Sequence, residues 1–350
     1  MGVLLIIGTE KGAFLMRSEK ALVDWKVEGP LFKGWRVTTA ARDTRGRYLL
    51  GVASQVYGAT IQISDDLEKW HQALGGPSYP SGGTRRLNQI WKIHTSGDTL
   101  FTGVDEAGLF RSDDGEHWQP LDSLNEHPTR DAWSPGAGGL CAHAILTDPA
   151  NPKRTWCGIS AVGVFRTDDE GRTWHSKNSG VTVIIEDKVH KDIGYCVHAL
   201  AQDPEHPAVI YRQDHMGVYR TQNGGDSWER IQNGLPSRFG FPIAIAPKTK
   251  ALFIVPLESD EYRMPPEGRL RVYRSRNGGN SWEPLTRGLP QEHAYTAVLR
   301  GALAVDGRDS PGVYFGTTSG TLYASRDEGE TWQMIPVTLP RILSVTAFEE

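Results

Sequence analysis

The sequence is poor in cysteine, has no long apolar run and carries no excess of charge of one sign. Each absence removes a class of protein. Three cysteines in 350 residues, Cys141, Cys157 and Cys196, cannot build a disulfide framework. No stretch of about 18 consecutive apolar residues is present, so no membrane-spanning helix is expected. The balance of 38 Lys+Arg against 42 Asp+Glu gives a net charge of −4, without the basic surplus that holds nucleic acid non-specifically. Apolar residues are nowhere sustained at spacings of three and four, so helices should be nearly absent. The opening MGVLLIIGTEKG has no basic segment before its short apolar run and reads as a strand ending in a turn, not as a signal peptide. The expectation is a cytoplasmic chain with neither membrane nor nucleic-acid partners.

What is abundant is glycine, with 39 residues, and tryptophan, with 11. Much of both belongs to a repeat. TDDEGRTW (167–174), TQNGGDSW (221–228), SRNGGNSW (275–282) and SRDEGETW (325–332) share one pattern: Ser/Thr, any, Asp/Asn, any, Gly, any, Ser/Thr, Trp. SDDGEHW (112–118) is the same with one residue deleted, SDDLEKW (64–70) has lost the glycine, and SEKALVDW (18–25) keeps only its ends. The closing tryptophans fall at 25, 70, 118, 174, 228, 282 and 332, so seven units of about fifty residues fill the chain.

Within a unit, short runs rich in β-branched and aromatic residues alternate with Asp-Pro or glycine turns, as CAHAILTD, TWCGIS, GVFRT and TWHSK show in the fourth. Such runs are strands. Four strands in each of seven units predict an all-β, seven-bladed β-propeller of four-stranded blades, one domain over residues 1–350. The first unit begins one strand late, and the C-terminal RILSVTAFE resembles the innermost strand of the others. Pairing this C-terminal strand with the N-terminal blade closes the ring and removes an exposed edge.

The motif's chemistry is local: Asp/Asn carboxamides or carboxylates and Ser/Thr hydroxyls bond backbone N–H groups in a tight turn, glycine supplies a positive φ, and tryptophan packs on the next blade. The acidic turns lack the ligand number that Ca²⁺ wants. The five clear copies resemble the Asp-box (BNR) repeat of the sialidase-like superfamily, and the chain is similar to a broad bacterial group of BNR-repeat proteins labelled glycosyl hydrolase-like. The resemblance implies that the boxes join third to fourth strands on the face opposite the site. Sialidases begin with a Phe/Tyr-Arg-Ile-Pro segment; here Pro340-Arg341-Ile342 stands at the other end of the chain, so sialidase activity itself is not expected.

The loops between blades and between second and third strands should share one face around the axis, where propeller chemistry sits. The loop 122–139 brings His127, Arg130, Asp131 and Trp133 there. His143 and His198 occupy equivalent positions in Cys-Ala-His and Cys-Val-His on adjacent units, and His215 enters from the fifth. Converging on the axis, these three histidines are candidates either for a Zn²⁺ or Fe²⁺ site or for a polar catalytic lining. The carboxylates Asp131, Asp214, Glu258, Asp260 and Glu292 form the acid/base candidates. Arg36, Arg85, Arg86, Arg130, Arg238, Arg263 and Arg300 can clamp an anion, with Arg36, Arg130 and Arg263 singled out. Trp35, Tyr57, Trp91, Trp133, Phe239 and Tyr295 can stack on a sugar, Trp133 and Tyr295 foremost. Two functions follow: a hydrolase or lyase, glycoside hydrolase-like, acting on a small anionic or sugar-like substrate in the axial funnel, or a non-catalytic scaffold with a protein partner. The residues leave open whether the site is catalytic.

Overall fold

A computed structural model describes residues 2–18, 24–184 and 190–350. The interior of the most degenerate repeat copy (19–23) and the middle of the loop 178–194 lie outside the described residues. The chain forms seven four-stranded antiparallel sheets, each an up-and-down meander, set around an axis as a seven-bladed β-propeller. The inner strands of blades two to seven are Arg36–Arg42, Gln89–Ser96, Ala142–Asp148, Ala199–Gln202, Phe239–Ile245 and Leu303–Val305, each the first of its blade. Blade one differs. Its inner strand is Ile342–Glu349, antiparallel to Val3–Thr9 with Leu5 opposite Ala347. Neighbouring inner strands touch all the way round, so the ring is closed by this exchange between the two ends of the described chain.

Burial follows from layering. Val3–Thr9 is buried at every position, because a second strand is covered on both faces by adjacent blades. Outer strands such as His71–Gln72 and Glu229–Arg230 are exposed. The apolar clusters lie between blades. Trp156 and Val164 of blade four meet Tyr219 and Trp228 of blade five, and Tyr211 of blade five meets Ile254 and Trp282 of blade six.

The repeat motif makes the turns from third to fourth strand. In blade four the Thr167 hydroxyl accepts the Gly171 N–H (2.9 Å), while the Asp169 carboxylate accepts the N–H (2.9 Å) and hydroxyl (2.7 Å) of Thr173. Blade seven repeats this with Ser325, Asp327, Gly329 and Thr331. Asn223 and Asn277 perform the same acceptance in blades five and six. Gly171 has φ +87°, the left-handed region that favours glycine. Blade two places Leu67 there at φ +65° and buries it. The helix Asp122–Asn125 is the one α-helix among the described residues.

Candidate functional site

The site is made where the inner strands begin. In four of the strands that open blades, an extra residue interrupts the register with the second strand: between Val37 and Thr39, Ile90 and Lys92, Ala142 and Ala144, and Gly240 and Ile243. The closing strand has the same irregularity between Ile342 and Ser344. A bulge of this kind turns a side chain that alternation would place elsewhere. The inserted residues Thr38, Trp91, His143, Phe241 and Leu343 all face one axial cavity, joined by His198 from blade five and Arg300 from blade seven. Packing permits this because second strands carry glycine beside the next blade's bulge. A Cβ on Gly51 would lie 2.7 Å from Ile90, and one on Gly103 would lie 2.2 Å from the Ala142 carbonyl oxygen.

The cavity has a volume of about 630 Å³ and a one-sided charge. Arg36, Lys92, Arg263, Arg300 and Arg341 line it against one carboxylate, Glu10, which is taken up by Arg36 at 2.9 Å. Arg300 is the central cation. Its guanidinium lies 5.1 Å from the Phe241 ring centre and 5.8 Å from that of Trp91, and its Nε is buried without a hydrogen-bond partner. Among the described residues it has no ion pair. Lys92 reaches water inside the channel yet is surrounded by protein, and this desolvation lowers its pKa.

The imidazoles beside these cations are held neutral. Burial, and then the Arg300 charge, keep His143 and His198 well below the usual histidine range. His143 Nε2 is buried with no partner. His198 Nδ1 lies 2.6 Å from the Gly240 carbonyl oxygen and its Nε2 lies 3.1 Å from His215 Nδ1. His215 also approaches Cys196 Sγ at 3.2 Å and, through Nε2, Asp260 at 3.3 Å.

Of the residues the sequence singles out, Arg36, His143, His198 and Arg263 line the cavity, with His215 behind His198. Arg300 and Trp91, also named from the sequence, line it too, whereas the candidate carboxylates, Arg130 and Trp133 stand elsewhere. Asp131, Glu258 and Glu292 are exposed and outside the lining. Asp214 is buried; its carboxylate accepts the N–H groups of Met216 and Gly217 and lies 3.2 Å from Arg212 Nε, and burial pushes its pKa up to about 6. It shapes a turn. Arg130 donates to the Ala107 carbonyl and lies over Trp133 at 4.7 Å, while Trp133 is itself buried against Phe165. Both brace the loop 122–139. Tyr295 is 66% exposed on the rim. Histidine convergence is therefore narrower than the sequence suggests: His198 and His215 gather with Cys196, and His143 is not part of that group. Lys92 was not legible as a site residue, because strict alternation cannot turn both Trp91 and Lys92 inward. Arg300 was one of seven loop arginines with no local mark to distinguish it.

No protein-family model matches the chain, and no curated protein matches it. Solved structures do. YCF48 bound to D1 peptide superposes with a TM-score of 0.55 at 12% identity, over 86% of this chain and 82% of that one. YCF48 from Cyanidioschyzon merolae gives 0.55 at 15%, over 89% and 88%. Virginiamycin B lyase from Staphylococcus aureus gives 0.55 at 10%, over 87% and 85%. Likeness at these identities concerns the fold. The class the fold and site define is a seven-bladed β-propeller with a cation-lined axial cavity.

Proposed function

We propose that the protein binds a small carboxylate-bearing molecule in the axial cavity and acts on it as a lyase or hydrolase. The observation that carries this reading is the Arg300 guanidinium, which faces the cavity with Nε buried and with no acceptor among the described residues. A partly buried cation without a partner is costly unless a ligand supplies the counter-charge, and a carboxylate fits the guanidinium fork. Trp91 and Phe241 flank it with apolar faces for the ligand's body, sugar-like or otherwise.

Within this reading, elimination fits the lining better than two-carboxylate glycoside hydrolysis. The latter needs a pair of carboxyl groups about 5–9 Å apart, and Glu10 is the sole carboxylate among the described lining residues. Neutral His143 would accept the proton from the carbon next to the bound carboxylate. The electron pair would move to expel a leaving group from the neighbouring carbon, and Arg300 would stabilise the charge developing on the carboxylate. The repeated turns, each with the same hydroxyl and carboxylate or carboxamide acceptances, support membership of the Asp-box propellers. Three free, buried cysteines suit a cytoplasmic setting.

Calorimetry against a panel of dicarboxylates and sugar acids tests the reading. Wild type should bind at least one, Arg300→Met should bind it at least about tenfold more weakly, and His143→Ala should bind it but abolish exchange of its carbon-bound proton with deuterated water. No binding across the panel would overturn the proposal. A scaffold role is the second reading, favoured by Val56 and Tyr57, which are 80% and 72% exposed beside Trp35 at a second-to-third-strand turn. Loss of a protein partner in Tyr57→Ser with no small ligand found would select it.

A further inference from the structure

The group behind the cavity wall, Cys196, His198 and His215, turns a thiol and two ring nitrogens toward one another, with acceptors behind both rings. The Gly240 carbonyl can only accept, so His198 Nδ1, 2.6 Å away, carries the ring proton and Nε2 presents a lone pair when the ring is neutral. With its proton on Nε2, facing the Asp260 carboxylate 3.3 Å away, His215 presents a lone pair at Nδ1 as well. These two lone pairs face each other across 3.1 Å. The Cys196 thiol can satisfy His215 Nδ1 at 3.2 Å, which leaves His198 Nε2 without a donor.

A divalent cation satisfies all three groups at once. We propose that Cys196 Sγ, His198 Nε2 and His215 Nδ1 bind one Zn²⁺ ion. The three ligand atoms lie within 4.8 Å of one another. Tetrahedral zinc with bonds of about 2.0–2.1 Å to nitrogen and 2.3 Å to sulfur sets its ligands roughly 3.3–3.6 Å apart, so the His198–His215 and His215–Cys196 separations of 3.1 and 3.2 Å need open by only a few tenths of an ångström. The outer partners are those zinc sites use: a backbone carbonyl behind one imidazole and a carboxylate behind the other fix both tautomers with the correct nitrogen inward. Cys196 is held from behind as well, since the fully buried Arg212 guanidinium donates to its carbonyl oxygen and lies 2.9 Å from the Asn178 side-chain oxygen. On binding, the thiol releases its proton to solvent and the thiolate becomes the anionic ligand. Three protein ligands leave a fourth position, and His198 lies on the cavity wall. The site stands independently of the anion-binding reading; only the supply of a fourth ligand by a substrate would depend on it.

The test uses the full chain, stripped with a chelator and then loaded with Zn²⁺ or Co²⁺ alone and desalted. One zinc per chain is expected, together with a thiolate-to-cobalt charge-transfer band in the near ultraviolet. Cys196→Ser should lose the band, and His215→Ala and Asp260→Asn should each weaken zinc binding about tenfold or more. His143→Ala should retain both metal and band. A folded wild type that keeps no metal and shows no band would overturn the proposal. So would a band that survives unchanged in Cys196→Ser, or metal lost equally in His143→Ala. Because no carboxylate ligand is present, these results read the metal site without reference to Arg300.

Discussion

At the scale of single residues, Arg300 shows a conflict between stability and function. Its guanidinium is half-buried and Nε meets no acceptor. Contact with Trp91 and Phe241 returns part of the lost hydration. Replacing it with a neutral side chain of similar length should therefore not destabilise the fold. Arg300→Met is expected to unfold at the same temperature as wild type or higher, while losing the carboxylate ligand. A fall of several degrees would show that the arginine braces blade seven instead. Asp214 makes the opposite point. On a site-facing turn it reads as an acid/base candidate, but its Oδ1 accepts two backbone N–H groups and its Oδ2 is buried against the Arg212 guanidinium. A carboxylate in a turn cannot be assigned to chemistry until its acceptor capacity has been accounted for.

At the scale of elements, the repeated turn and the inner-strand bulge behave differently. The turn is local, and its electrostatics give a pH dependence. Hydrogen bonds from Thr173 and Thr167 lower the Asp169 pKa from 3.8 to about 2, and Asp327 is lowered too, its bonds to Thr331 and Ser325 outweighing burial. A carboxylate with a folded pKa below its unfolded value contributes stability that is fully present above pH ~4 and lost as pH falls through the folded value. The melting temperature should drop between about pH 4 and pH 2. Asp169→Asn/Asp327→Asn should fold normally at neutral pH and show a shallower acid drop, since Asn223 and Asn277 already fill this place in two blades. An unchanged acid profile would remove these turns as its cause. The bulge depends instead on the neighbouring blade. Ala at position 103 would drive its Cβ into the Ala142 carbonyl and shift the strand that carries His143. Gly103→Ala is expected to cost about 1–3 kcal/mol or more in urea unfolding. Equal stability would mean that the inner strand moves freely. The turns were legible from eight-residue patterns, whereas the bulges were not, because nothing within the inner strand announces an interruption imposed from the adjacent blade.

At the scale of the whole molecule, the ring is held by one strand. Ile342–Glu349 pairs with Val3–Thr9 and buries Ile342 and Val345. Removing it would expose the edge of the most buried strand in blade one and leave the axial cavity open on one side. A chain ending at Arg341 should associate through that edge and lose cooperative unfolding, seen as larger species in size-exclusion chromatography and a broadened melt. A monomer with an unaltered melt would show that the other contacts suffice. The same ring separates what the sequence determined from what folding decided. Blade number, strand order, closure and the repeated turns were determined by the sequence alone, because the hydrogen bonds that make a turn span a few residues and the repeat states them several times over. The charge and membership of the site were decided by tertiary structure. Lys92, Cys196 and Arg300 lie about a hundred residues apart from one to the next, and they meet only because seven strands converge on one axis. Bulges set against neighbouring glycines then choose which side chain at each strand's start faces inward.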